Sequence, residues 1–311
     1  MASFGFMVIR GLFAVAEHFA PRAAGAAAFA IFSRTPDRRV SRREAEALAR
    51  AEPVMREARR HRIATAAGAV AVYDFATGHP RRGTPTVLVI HGWGSRAAHM
   101  AAQIGALDQA GYRVIALDLP GHGESAGRRL KMASAVAAVS AVEQWFGPFA
   151  AIVGHSFGGA VAANAAVGSV RGVPPVAAER LVMISSPSSM PSLFKDFGRF
   201  LNLGARTQTA LDARVERLTG RPLEEFVVAT QLVGRHLPVL VLHAPDDKEI
   251  APREAVALAA AGDHVTLEWM PGLGHRRILT DCAVAARVVS FVAEPLTRGG
   301  QGAAVSLSLL G

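Results

Sequence analysis

The nine residues Ala151-Ile-Val-Gly-His-Ser-Phe-Gly-Gly159 constrain this chain more than any other stretch. A short apolar run, readable as a buried strand, leads without a spacer into residues that read as a helix. Glycines stand two positions before and two after Ser156, at Gly154 and Gly158. A strand-to-helix turn this tight has no room for larger side chains. It holds the serine in strained backbone geometry and lifts its hydroxyl above a sheet. The amino end of the helix points at the same spot, which favours developing negative charge.

The rest of the chain predicts the sheet. Thr86–Ile90 is a continuous apolar run, the mark of a strand buried on both faces. Strands expected at Val114–Leu117, Ala150–Val153, Leu181–Ile184, Val239–Leu242 and Val265–Trp269 alternate with helices at Met132–Phe146, Gly158–Val167, Arg253–Ala261 and Arg277–Val292. Ahead of them, Ile63–Phe75 predicts a β-hairpin around Gly68, followed by Gly78-His79-Pro80 and a basic turn. This alternation implies an α/β fold with a mostly parallel, doubly wound sheet. Pro187–His236 breaks the rhythm with about fifty residues of helical, mixed-polarity sequence, too long for a crossover and too short for a domain. It reads as a small helical cap above the carboxyl ends of the strands. The expected division is a helical extension and linker over 1–62, a main domain over 63–294 with the cap at about 187–236, and a frayed tail over 295–311.

A serine hydroxyl is a weak nucleophile without a base. Among the 11 histidines, His275 stands in Pro271-Gly-Leu-Gly-His-Arg-Arg277, directly after the last strand and at the same sheet edge as the serine turn. His155 precedes the serine inside the turn and must point elsewhere. His91 and His243 end strands and read as structural, His243 supporting the loop that follows it. The base needs a carboxylate to fix its tautomer and stabilise the imidazolium. Asp246 and Asp247 follow a buried strand; adjacent carboxylates diverge, so one faces His275 and the other holds the loop. Attack on a carbonyl also calls for two backbone N–H groups aimed at the oxygen. Phe157, at the helix start, offers one. Trp93 in His91-Gly-Trp-Gly94 offers the other, between glycines that allow close approach.

Composition excludes other classes. The single cysteine, Cys282, rules out an intrachain disulfide framework and a cysteine-based zinc site, and fits a reducing compartment. The net charge of +9 is concentrated: residues 1–82 hold 14 Arg and no Lys against 7 acidic residues. Aromatic residues are not interleaved with these arginines, so no base-stacking platform exists and nucleic-acid binding is set aside. From Ser3 to Phe32 the sequence is apolar apart from Arg10, Glu17, His18 and Arg22, whose spacing puts them on one helical face. Pro21 starts a second helical piece that runs to about Phe32. The segment predicts an amphipathic hairpin with a wide apolar face. A membrane span would bury Arg10, Glu17 or His18, and Glu17 interrupts any secretory signal. Packing on the main domain or a partner is the first expectation, and interfacial membrane contact through residues 1–35 the second. Residues 36–62, rich in Arg and Glu, are helical in pattern. The expected location is cytoplasmic, with peripheral contact to the inner membrane as the alternative for the hairpin.

Over residues 63–294 the chain resembles the α/β-hydrolase superfamily. The motifs are His91-Gly-Trp-Gly94, Asp118-Leu-Pro-Gly-His-Gly-Glu-Ser125, the Gly154–Gly158 elbow, the Asp246-Asp247 loop and Gly274-His275. The acid loop of that family reads glycine, two residues, aspartate, two residues, an aliphatic. Ala244 replaces the glycine here, and Asp247 followed by Ile250 fits the register, so the resemblance selects Asp247. It implies an α/β-hydrolase fold with a Ser156-His275-Asp247 triad, an oxyanion hole at Trp93 and Phe157, and no cofactor or metal. Asp118–Ser125 would shape the floor of the site. Dehalogenases and epoxide hydrolases of the superfamily use an aspartate nucleophile, so Ser156 disfavours both. The implied reaction is hydrolysis of a small-molecule carboxylic ester or thioester through an acyl-enzyme. Acyl transfer and a membrane-associated lipase- or lysophospholipase-like activity are the alternatives, ahead of a silent binding protein. The Gly272-Leu-Gly-His-Arg-Arg-Ile-Leu279 stretch and the hydrophobic N-terminal extension are similar to a bacterial subgroup, and 31 Arg against 3 Lys suits a high-GC bacterial genome.

Overall fold

The computed structural model describes residues 4–36, 40–76 and 83–296, with residues 4–6 described through their backbone. Eight strands, β1 (Arg59–Ile63), β2 (Val70–Phe75), β3 (Thr86–Ile90), β4 (Arg113–Leu117), β5 (Ala151–His155), β6 (Leu181–Ile184), β7 (Val239–His243) and β8 (Val265–Trp269), form one sheet. Its order is β1-β2-β4-β3-β5-β6-β7-β8. The β1–β2 and β2–β4 pairs are antiparallel, and every other neighbouring pair is parallel. The helices begin with α1 (Phe4–Phe19), α2 (Pro21–Ser33), α3 (Arg42–Arg56), α4 (Ala101–Gln109), α5 (Met132–Phe146) and α6 (Phe157–Val167). They continue with α7 (Met190–Leu201), α8 (Ala205–Thr219), α9 (Val228–Leu232), α10 (Pro252–Ala259), α11 (Gly274–Arg277) and α12 (Cys282–Ala293).

Alternate residues of the central strands feed two separate cores. Leu88 and Ile90 of β3 enter one and Val87 and Val89 the other; Val239 and Val241 of β7 oppose Leu240 and Leu242 in the same way. A strand covered on both faces has no side for polar residues, which is why these segments are continuous apolar runs. α3, α4 and α12 cover one face, while α5, α6 and α10 cover the other. The loops that carry the chemistry-bearing residues leave the carboxyl ends of β3, β4, β5, β7 and β8, so topology gathers them at one edge.

Three expectations needed correction. β1 starts at Arg59, inside the stretch read as helical linker. It is an edge strand with exposed Arg59–Arg62, and charge along an open edge discourages pairing with other chains. α4 gave no periodic signal, because Ile104 and Leu107 are its only large apolar anchors. The four polar residues of the N-terminal segment do not share one face. The chain breaks at Ala20, so Arg22 belongs to α2, while Glu17 turns inward and caps α8.

α2 is seated against α8 at backbone distance. A Cβ on Gly25 would lie 2.7 Å from the carbonyl carbon of Ala210. Between β6 and β7 the chain forms α7, α8, a 3-10 turn at Leu223–Phe226, and α9. Residues 77–82, where the basic turn is expected, and the tail from residue 297 onward lie outside the described residues.

Candidate active site

Ser156 occupies φ 53°, ψ −126°, a region that non-glycine residues rarely enter. The turn is closely packed by backbone on both sides. A Cβ on Gly158 would lie 2.4 Å from the carbonyl oxygens of Ile90 and His91, and one on Gly154 would lie 2.5 Å from that of Gly158. Ser156 N–H donates to the Ile184 carbonyl of β6 over 2.8 Å, and α6 starts at the next residue. The side chain is therefore presented at the helix amino end, half-buried.

The loop after β7 directs its two carboxylates apart. Asp247 Oδ2 lies 2.8 Å from His275 Nδ1, and its Oδ1 accepts the N–H groups of Glu249 and Ile250 at 2.8 and 2.9 Å. Asp246 instead accepts the Gly272 N–H over 2.9 Å, tying the acid loop to the histidine loop. Burial pushes the Asp247 carboxyl up, but the hydrogen bonds from His275, Ile250 and Glu249 outweigh it and take it down to about 2. An ionised carboxylate can only accept, so the 2.8 Å contact places a proton on His275 Nδ1. The carboxylate nearest Nε2 is Glu249, at 3.9 Å and itself paired with Arg276 over 2.8 Å.

His155, the residue before the serine, supports His275 from below. Its Nε2 donates to the His275 carbonyl over 2.9 Å, with the rings 4.7 Å apart. Burial, with the neighbouring His275, lowers His155 to about 3, so it is neutral. Sequence alone gave only that it must point away from the hydroxyl. His243 acts as expected, donating from Nε2 to the Ile250 carbonyl over 3.1 Å across the acid loop.

The loop after β3 passes directly over the elbow: a Cβ on Gly92 would lie 2.9 Å from that of Ser156. Trp93 and Phe157 meet edge to face with ring centres 5.7 Å apart. Among the described residues, neither backbone N–H of this pair donates to a protein acceptor. Two buried histidines hold the loop. His122 Nε2 accepts the Gly94 N–H and His91 Nε2 accepts the Leu119 N–H, each over 2.9 Å. Both must then be neutral with the proton on Nδ1, where Pro120 and Gly92 carbonyls accept it at 3.2 and 2.7 Å. Burial takes His122 down to about 4 and His91 well below the usual histidine range. Asp118 anchors the second loop by accepting the Ala97 and Glu124 N–H groups, each over 2.8 Å, and the Tyr73 hydroxyl over 2.9 Å.

An apolar pocket opens beside Phe157, walled by Phe29 and Phe32 of α2, Met190 and Phe194 of α7, and Phe226. Phe32 joins this wall to its neighbours, with its ring centre 4.5 Å from Phe194, 5.1 Å from Phe197 and 5.7 Å from Trp93. Sequence reading missed that the N-terminal extension builds this wall. The available signal was the helical i, i+3 spacing of Phe29 and Phe32, which says that they pack but not on what.

A sequence model of the alpha/beta hydrolase family matches residues 87–288. Among solved structures, Est1E from Butyrivibrio proteoclasticus superposes with TM-score 0.59 at 18% identity, covering 75% of this chain and 96% of that one. Carboxylesterase CesB from Bacillus subtilis gives TM-score 0.58 at 18% identity, over 81% of this chain and 97% of that one. The thioesterase domain from the curacin biosynthetic pathway gives 0.53 at 17% identity, over 76% and 99%. A curated relative, the dihydrolipoyllysine-residue acetyltransferase component of the acetoin cleaving system of Cupriavidus necator, is 42% identical over 98 residues. That match covers 30% of this chain and 26% of the relative's length.

Proposed function

The chain belongs to the alpha/beta hydrolase family, and we propose that it hydrolyses a small-molecule carboxylic ester or thioester through an acyl-enzyme on Ser156. The observation that carries this reading is the His275 Nδ1–Asp247 Oδ2 contact of 2.8 Å beside a serine held at positive φ. Ser156 Oγ attacks the carbonyl carbon while His275 Nε2 takes its proton. Asp247 stabilises the imidazolium, and the N–H groups of Trp93 and Phe157 receive the oxyanion. His275 then returns the proton to the leaving alcohol or thiol. In the second half it takes a proton from water, whose oxygen attacks the acyl carbon and frees the acid and the serine. The apolar lining of the small cavity beside Phe157, about 50 Å³, supports a small apolar acyl group as the recognised part.

Covalent labelling with a fluorophosphonate probe tests the nucleophile. Wild type is expected to label and Ser156→Ala is not. Equal labelling of both proteins would overturn the assignment. A panel of p-nitrophenyl esters from acetate to palmitate then reads the acyl length.

A further inference from the structure

α1 is docked through one edge only. Phe13 is buried, and Glu17 accepts the Arg206 and Thr207 N–H groups at the start of α8, each over 2.9 Å. The opposite side carries Val8, Leu12, Val15 and Phe19, spaced as a single stripe of an α-helix. Leu12, Val15 and Phe19 are 65%, 60% and 86% exposed, so this stripe faces outward uncovered. A continuous apolar ridge of this kind on a water-facing helix marks an interaction surface.

What covers it follows from the charge beside it. Three residues beyond Phe19, Arg22 opens a shallow groove of about 1010 Å³ that runs along the outer side of α8 past Arg206 and Arg217. Among the described residues, none of these three arginines has a carboxylate within 4.0 Å, whereas Arg221, also in the groove, is paired with Glu225 over 2.8 Å. Glu216 is the one acidic residue among those lining the groove against Arg22, Arg206, Arg217 and Arg221, so a symmetric contact with a second copy across this face would bring mostly like charges together. A ridge of apolar side chains bordered by guanidinium groups that, among the described residues, pair with no carboxylate instead matches a bilayer, with acyl chains for the ridge and phosphates for the arginines.

We propose that α1 and the arginine groove form a docking face for an anionic phospholipid bilayer. The helices lie in the interface and do not cross it: no helix among the described residues is long and apolar enough to span a membrane. The same pair of helices, α2 and α8, also lines the pocket beside Phe157 through Phe29, Phe32 and Leu218, so the docked face backs onto that pocket. Docking itself does not depend on the chemistry at Ser156.

Co-sedimentation with vesicles of phosphatidylcholine alone, or with three-tenths phosphatidylglycerol, tests the proposal on the full chain. Wild type is expected to bind the anionic vesicles in preference, with binding that weakens as salt rises. Leu12→Glu with Phe19→Glu should reduce binding to either vesicle at least about tenfold. Arg22→Glu with Arg217→Glu should remove the anionic preference, about fivefold for each arginine lost. Hydrolysis of p-nitrophenyl acetate in solution should be the same in wild type and both variants, which shows that they are folded and separates this test from that of the nucleophile. Wild type that stays in the supernatant with anionic vesicles would overturn the proposal, as would Leu12→Glu with Phe19→Glu binding as wild type does. A dimer in light scattering that Leu12→Glu dissolves, without vesicle binding by wild type, would overturn it in favour of a self-association surface.

Discussion

His91 and His122 hold each other's loops: His122 accepts the Gly94 N–H from the loop that begins at His91, and His91 accepts the Leu119 N–H from the loop that contains His122. Their rings lie 5.4 Å apart beneath Trp93. Through this exchange the strand ends of β3 and β4 are locked together, and the proposed oxyanion donor at Trp93 rides on the lock.

Replacing His122 by Phe keeps a ring of similar size but strands the Gly94 N–H, at a cost of about 1–3 kcal/mol. The expected outcome is a lower urea midpoint and a kcat on p-nitrophenyl acetate reduced about tenfold, with KM changed less. His122→Asn, which restores an acceptor, should recover part of the loss. Unchanged kcat in His122→Phe would remove this histidine from the site's support.

Buried neutral histidines make stability depend on pH. The folded protein holds His122 at about 4 and His155 at about 3, with His91 also well below the usual range, while the unfolded chain protonates all three near 6.5. The unfolded state therefore binds more protons between about pH 6.5 and 4, and stability falls as pH drops through that window, by about 1.4 kcal/mol per unit for each histidine at its lower end. Asp118, raised by burial, opposes this near the acidic limit. Asp247, lowered to about 2, loses its contribution only below the unfolded value near 3.9. Urea titrations at pH 7, 6 and 5 should show the midpoint dropping steadily, and a flat series would contradict neutral burial.

Asp247→Asn should cost about 10³–10⁴ in kcat, because the amide cannot hold His275 in the tautomer that leaves Nε2 free. Asp246→Asn keeps an acceptor for the Gly272 N–H and should cost less than about tenfold. Steady-state kinetics of the two variants distinguish the carboxylates. Equal losses would mean that the loop, and not one residue, is what matters.

Phe29→Trp adds volume to the pocket wall beside Phe157. Activity on the longer p-nitrophenyl esters should fall about tenfold or more relative to acetate, since each misplaced methylene group is worth about 1–3 kcal/mol in such a pocket. A uniform change along the ester series would mean that the acyl chain lies elsewhere.

The sheet was legible because its physics is local. Strands covered on both faces must be continuous apolar runs, and Thr86–Ile90 and Val239–Leu242 show this without any partner in view. The elbow was legible in part for the same reason. Gly154 answers to a clash with Gly158 and Gly159 inside one turn, whereas the clash at Gly158 is with the Ile90 and His91 carbonyls at the end of β3, which spacing alone does not declare. α4 and β1 were not, because a helix with two large apolar residues and a charged edge strand leave little periodic trace.

Tertiary structure decided the rest. The family register singled out Asp247, but the residues' own chemistry left Asp246 and Asp247 open; which of them meets His275 depends on how the loops after β7 and β8 lie against each other, where hydrogen bonds from Gly272 and Ile250 hold the two carboxylates apart. The exchange between His91 and His122 joins residues 31 positions apart, and their neutrality comes from burial, which neither residue carries in its own sequence context. The N-terminal hairpin was readable as amphipathic, but not which side would face in. Glu17 reached the open end of α8, and Gly25 let two backbones meet, so the edge with Phe13 and Glu17 was docked and an apolar stripe was left outside. Periodicity names the faces of a helix, and only the surface it docks on determines which of them meets water.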